Sequence, residues 1–173
     1  MKNIHPIPQA GFTLIELMVT LTIFAVLIMM GSSLTRTWVD RSQVNSAIST
    51  FKTAVFQAKA SALRNTNNQP LSNSSVSVCL DSTSNTINII RTALNSNNVC
   101  ETPASASSTG NVLLRTLPIS NDIYIKQGSA FFNCLSFNSA GVVVQASGTS
   151  CSSDTSAAFK VGKNDESADI SIL

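Results

Sequence analysis

Residues 11–30 read GFTLIELMVTLTIFAVLIMM. From Phe12 to Met30 this stretch holds one charge, Glu16, over about 19 residues, close to the roughly 20 that a helix needs to cross a bilayer. The 11 residues before it carry Lys2 and His5, and Pro6 and Pro8 disfavour a continuous helix there. An ordinary secretory signal places its small-residue cleavage site after the apolar core. Here the natural cut precedes it, so residues 1–11 are expected to be a leader.

Beyond Met30 the polarity rises at Gly31, Ser32 and Ser33, yet no proline follows until Pro70. Val44, Ile48, Phe51, Val55, Ala58 and Ala62 recur at intervals of four and three, which draws one apolar stripe along a helix. The helix is therefore expected to continue out of the membrane, from Phe12 to about Asn65. Gly31 is its weakest point, since glycine costs about 1 kcal/mol against alanine inside a helix. At 1.5 Å per residue such a helix is roughly 80 Å long, which a lone domain does not require.

The loop-forming run 65–75 ends the helix. Short β-like runs follow at 76–80, 86–91, 112–117, 123–126, 130–137, 142–146, 157–161 and 170–173, with turn-rich stretches between them, notably 103–110 and 147–154. The expected organisation is a leader (1–11), a membrane helix (12–34), an amphipathic helix (35–65) and a β-rich head (66–173). The fold class is α+β, a long amino-terminal helix packed on an antiparallel sheet. The final apolar run is expected to be tucked into the head.

Charge is sparse, at 12% of residues, and the net value of +2 does not argue for nucleic acid. Between Arg36 and Arg64 five basic residues (Arg36, Arg41, Lys52, Lys59, Arg64) face one acid, Asp40; this reads as a solvated helix face. Beyond it five basic residues face seven acids.

The four cysteines, Cys79, Cys100, Cys134 and Cys151, lack CxxC spacing and a nearby histidine, which argues against zinc. An even count in a Ser/Thr/Asn-rich, exported region suggests two disulfides, which persist in an oxidising compartment. Three pairings exist. Sequential pairing, Cys79 with Cys100 and Cys134 with Cys151, is favoured because it closes short loops as each segment emerges. No catalytic constellation is evident, and no cofactor or metal is expected. His5 is the single histidine and lies in the leader. Asp165, Glu166 and Asp169 read as a solvated turn rather than a calcium site.

Gly11, Phe12, Thr13, Leu14, Ile15 and Glu16 resemble the processing site of type IV prepilins, where a glycine precedes an aromatic residue and a glutamate stands fifth in the mature chain. The resemblance implies that a prepilin peptidase cuts between Gly11 and Phe12 and that the new amine of Phe12 is methylated. It also implies that Glu16 pairs with the amino terminus of a neighbouring subunit during assembly. A signal anchor on an unrelated exported protein accounts for the hydrophobicity. It leaves unexplained the Gly-Phe junction, the placed glutamate and the amphipathic continuation together.

Residues 134–144, CLSFNSAGVVV, resemble the strand-turn-strand of the FimT, FimU and GspH group, with Phe137 and Gly141 matching. The stretch from Cys134 to Cys151 also resembles the disulfide loop near the carboxyl end of many pilins. The expected role is a structural minor pilin at or near the tip of a type IV pilus, helping to initiate assembly. Its expected partners are other major and minor pilins, the prepilin peptidase and the inner-membrane assembly machinery, with the membrane itself before assembly. The alternatives are a DNA-capturing FimT-like pilin, a GspH-like pseudopilin of type II secretion and a major pilin. The turn 138–145 carries no basic residue, which argues against DNA capture.

Overall fold

In the computed structural model, described for residues 11–94, 98–101, 110–146, 151, 152, 154 and 158–172, one helix, α1 (Leu14–Leu63), precedes eight strands. For residues 31–34 only the backbone is described. Residues 1–10 of the leader, with His5, most of the two turn-rich stretches, Ala157 and Leu173 lie outside the described residues. Two compact units divide at Val39 and Asp40, and α1 contributes to both.

In the first unit α1 is helical throughout, including at Gly31, and every described side chain from 11 to 30 is exposed. It includes a stretch long and apolar enough to cross a membrane. Two hydroxyls within that stretch bond back to their own helix: Thr20 Oγ1 donates to the Leu17 carbonyl at 2.9 Å and Thr22 Oγ1 to that of Val19 at 2.8 Å. Both are thereby satisfied without water.

The second unit is an α+β head, in which the distal part of α1 packs on antiparallel sheets. Its strands are β1 (Val76–Asp81), β2 (Thr86–Arg91), β3 (Val112–Pro118), β4 (Tyr124–Gln127), β5 (Ala130–Phe131), β6 (Cys134–Phe137), β7 (Phe159–Lys163) and β8 (Glu166–Ile170). They form two antiparallel four-stranded sheets, ordered β3-β2-β1-β6 and β5-β4-β7-β8. The helix stripe supplies Val44, Phe51, Val55, Ala58 and Ala62 to the core, with Ile48 half-buried beside them. Ala47 and Ala54 widen the stripe, and the small side chains let the strands approach closely. Phe51 meets Phe132 and Phe159 edge-on, with ring centroids 5.1 and 5.4 Å away. Phe51→Ala is expected to cost about 3–5 kcal/mol, read as a lowered urea midpoint of the detergent-solubilised chain.

The first sheet is covered on both faces over β1, β2 and β6, whereas its edge strand β3 is largely exposed. Val76 and Val78 of β1, Ile87 and Ile89 of β2, and Leu135 and Phe137 of β6 point to the helix. On the opposite face Cys79, Ile90 and Cys134 join Val99, Ala146 and Cys151 in a second, smaller core. Because side chains alternate along a strand, Ser77 and Ser136 share that second face. They sit opposite each other in register, their hydroxyls 2.7 Å apart, and Ser74 and Thr92 extend the buried chain. Each buried hydroxyl thus has a partner, which removes the penalty for burying it.

Several sequence expectations are corrected. The run 130–137 is not one strand: Ala130 and Phe131 pair with β4, whereas Cys134 begins β6 in the other sheet. The buried Phe132 anchors the crossing in the aromatic cluster. The run 142–146 forms only a bridge from Val143 to Phe137. Asn138 explains this, because its Oδ1 accepts from the backbone N–H of Ala140 and Val142, while its Nδ2 donates to the Leu71 carbonyl. Those bonds close a tight turn, with Gly141 at φ +72°, and little ladder remains.

The last strand is 166–170 rather than 170–173. A turn at Asn164 and Asp165 reverses β7 into β8, so of the three acids read as a turn only Asp165 lies in it. Gly162 is required in β7, since a Cβ there would collide with the Tyr124 ring. The side chain of Asp81 organises the β1–β2 turn, accepting from Ser84 Oγ at 2.6 Å and from the backbone N–H groups of Thr83 and Ser84. Those bonds hold its carboxyl below the ordinary aspartate range.

Candidate processing and assembly site

The start of α1 is a built helix terminus. Thr13 precedes the first helical residue, and its Oγ1 accepts the backbone N–H of Glu16 at 3.3 Å. The Thr13 carbonyl takes the N–H of Leu17 at 3.2 Å. Thr13 is thus the N-cap, and Thr-x-x-Glu is the spacing of a capping box, worth about 0.5–2 kcal/mol at the cap residue. The sequence reading overlooked Thr13, although the spacing before an apolar run was visible. Glu16 falls in the first turn, where the helix dipole favours an acid.

Gly11 and Phe12 lie just ahead of that cap, Phe12 82% exposed. A Cβ built on Gly11 meets nothing within 4 Å, and its φ is not in the left-handed region. Among the described residues, nothing packs against Gly11 closely enough to call for glycine. With the threonine hydroxyls satisfied internally, Glu16 is the ionisable side chain left over in an otherwise apolar, exposed stretch.

Residues 8–32 match the family model of the prokaryotic N-terminal methylation motif. The chain carries a prepilin-type amino terminus. That motif implies processing by a prepilin peptidase and assembly partners of the pilus or secretion kind, and the apolar helix fits a membrane anchor. No curated protein and no solved structure gives a significant match to the chain.

In the head, Cys79 is joined to Cys100 and Cys134 to Cys151, with Cα–Cα distances of 5.6 and 4.5 Å. Cys79 and Cys134 face each other across β1 and β6, so the two bridges lie side by side. The sulfurs of Cys100, Cys134 and Cys151 come within 4.8 Å of one another, the spacing of a metal site. All are bound in disulfides, and the thiolates that a metal needs are not on offer. A cleft lined by Leu80, Ser82, Asn85, Ile119, Asn121, Asp122 and Tyr124 offers one carboxylate. Asp122 is exposed there and stands 3.8 Å from Lys163 Nζ, an ion pair rather than an acid–base couple.

Proposed function

We propose that this chain is a structural minor pilin of a type IV pilus, incorporated at or near the tip and helping to start assembly. The match of residues 8–32 to the methylation motif carries the reading. Supporting it, no described residue packs against Gly11, which fits a small residue presented to an external partner, the peptidase that cuts before Phe12. The new amine of Phe12 is then methylated, and Glu16 pairs with the amino terminus of a neighbouring pilin. Before assembly the chain sits in the inner membrane with its head in the periplasm, where two disulfides persist.

DNA capture is the competing function. The turn 138–142 has no basic residue of its own, and the stem of Lys59 packs beside Gly141. Phosphate recognition draws on several cations together, and one lysine is a weak substitute. A pseudopilin of type II secretion would use the same amino terminus and differs in its partners. Deleting the gene is expected to reduce surface pili and to lower DNA uptake only in proportion, with no gel shift of duplex DNA at physiological salt. Normal piliation with abolished uptake and micromolar DNA binding would overturn the structural role. Normal piliation with lost protein secretion would favour the pseudopilin.

A further inference from the structure

Between Glu16 and Arg36 the sequence has no ionisable residue. Twenty residues at 1.5 Å each separate the two by about 30 Å, the thickness of a bilayer's hydrocarbon core. Two positions after Arg36 stands Trp38, the single tryptophan of the chain. It is 72% exposed, Arg36 is exposed too, and Val39 beside them is 39% exposed. An exposed indole contributes little to the fold of the chain that carries it. In lipid, indole rings collect at the headgroup level, where the ring is half solvated. Arginine stems run along apolar surface while the guanidinium reaches a phosphate with a bidentate fork.

Arg36 also needs a reason of its own. Cations flanking an apolar span favour the cytoplasmic side, so an arginine on the exported side works against the orientation proposed above. A charge that opposes topology yet stands one hydrocarbon thickness from Glu16 is explained by a partner of opposite charge in the exported leaflet.

We propose that Arg36 and Trp38 form an interfacial collar that binds the phosphate groups of anionic phospholipids in the exported leaflet and so sets the depth of the anchor. The inference rests on the membrane-anchor reading. Positions 36 and 38, two apart on the helix, point to nearly opposite sides, about 200° of rotation apart, so the pair grips the interface from both sides of the helix. With the collar in place, Glu16 lies at the opposite boundary and the Gly11–Phe12 bond lies just outside it, where the peptidase can reach it. Sliding the helix inward by one turn, about 5.4 Å, would draw that bond towards the hydrocarbon.

Because Trp38 is the single tryptophan, its fluorescence reports this site alone. The full-length precursor is reconstituted in phosphatidylcholine vesicles with or without phosphatidylglycerol, using lipids brominated near the carbonyl or near the chain end. Expected are a blue-shifted emission and about twofold stronger quenching by the shallow bromines, as for an interfacial indole. Arg36→Gln, or omission of phosphatidylglycerol, is expected to shrink that preference, and Arg36→Gln should slow cleavage by purified prepilin peptidase. Emission as in water, strongest quenching by deep bromines, or equal depths for wild type and Arg36→Gln in both lipids would overturn the collar. A spectral change that follows the protein-to-lipid ratio instead of bromine position would assign Trp38 to a second copy and overturn it as well. Vesicle flotation separates the two readings: a chain that fails to float refutes the anchor, whereas a floating chain with Trp38 in water refutes the collar alone.

Discussion

Glu16→Ala is expected to leave membrane insertion intact and to cut recovery of the protein in sheared pili by roughly 30-fold or more. An acid at the edge of the hydrocarbon opposes insertion by at most about a few kcal/mol, so removing it does not impair insertion. The Thr13 cap is made by a hydroxyl and a backbone N–H, and it survives the change. In the proposed pairing, what is lost is the partner of a neighbouring subunit's amine. Leaving one member of a desolvated charge pair alone costs about 2–5 kcal/mol, which sets the size of the effect. Glu16→Gln should behave like alanine, because it keeps the shape and discards the charge. The check is immunoblotting of the sheared fraction against the membrane fraction. Normal recovery of either variant in pili would refute the pairing role.

Replacing all four cysteines by alanine is expected to leave the head unfolded and degraded. The bridges span sequence separations of 21 and 17 residues. Each is worth roughly 3 kcal/mol in the chain-entropy model, against a total of about 5–15 kcal/mol for an ordinary domain. They also hold Val99, Ala146 and Cys151 over the outer face of the first sheet, so the second core goes with them. Since Cys79 and Cys134 are cross-strand neighbours, the two losses should not add. A single replacement, such as Cys100→Ala, leaves the Cys79 thiol beside the other bridge, where exchange can join Cys79 to Cys134. Single variants should therefore give mixed pairings in non-reducing peptide maps, and variants lacking a whole pair should give one. A four-alanine head that accumulates and melts like the wild type would contradict this account.

The helix was legible because its signals are local and long. A predominantly apolar run of 19 residues and a stripe at helical spacing placed it within two residues of Leu14–Leu63. The strands β1, β2 and β3 were legible from β-branched runs bounded by turn residues, and β2 falls at Thr86–Arg91 as read. β4 and β7 were also read to within two residues, whereas β5, β6 and β8 depend on tertiary contacts. Nothing within 130–137 announces that the chain changes sheets at Phe132, since the reason lies in Phe51 and Phe159, far away in sequence. The return arm after Gly141 looked like a strand from its valines, but the side chain of Asn138 takes the N–H of Val142, and the backbone pairing stops after two bonds, Asn138 N–H to the Val142 carbonyl and Val144 N–H to that of Ser136. β8 carries Glu166 and Asp169, whose charges suggested a turn; strand alternation with Ala168 and Ile170 decides otherwise. The second core was hidden because Ser77 and Ser136 look like surface residues until their partners are seen. At the amino terminus the functional residues stand in one short motif, and only the capping role of Thr13 needed coordinates.

The amino terminus of the chain purified from piliated cells bears most directly on all of this. Intact mass with amino-terminal fragmentation is expected to show a chain beginning at Phe12, one methyl group heavier than the unmodified residue. Gly11 replaced by tryptophan should leave the full-length precursor in the membrane. A chain that retains Met1, or one cut beyond the apolar run near Ser32, would contradict prepilin-type processing and the pilin reading with it.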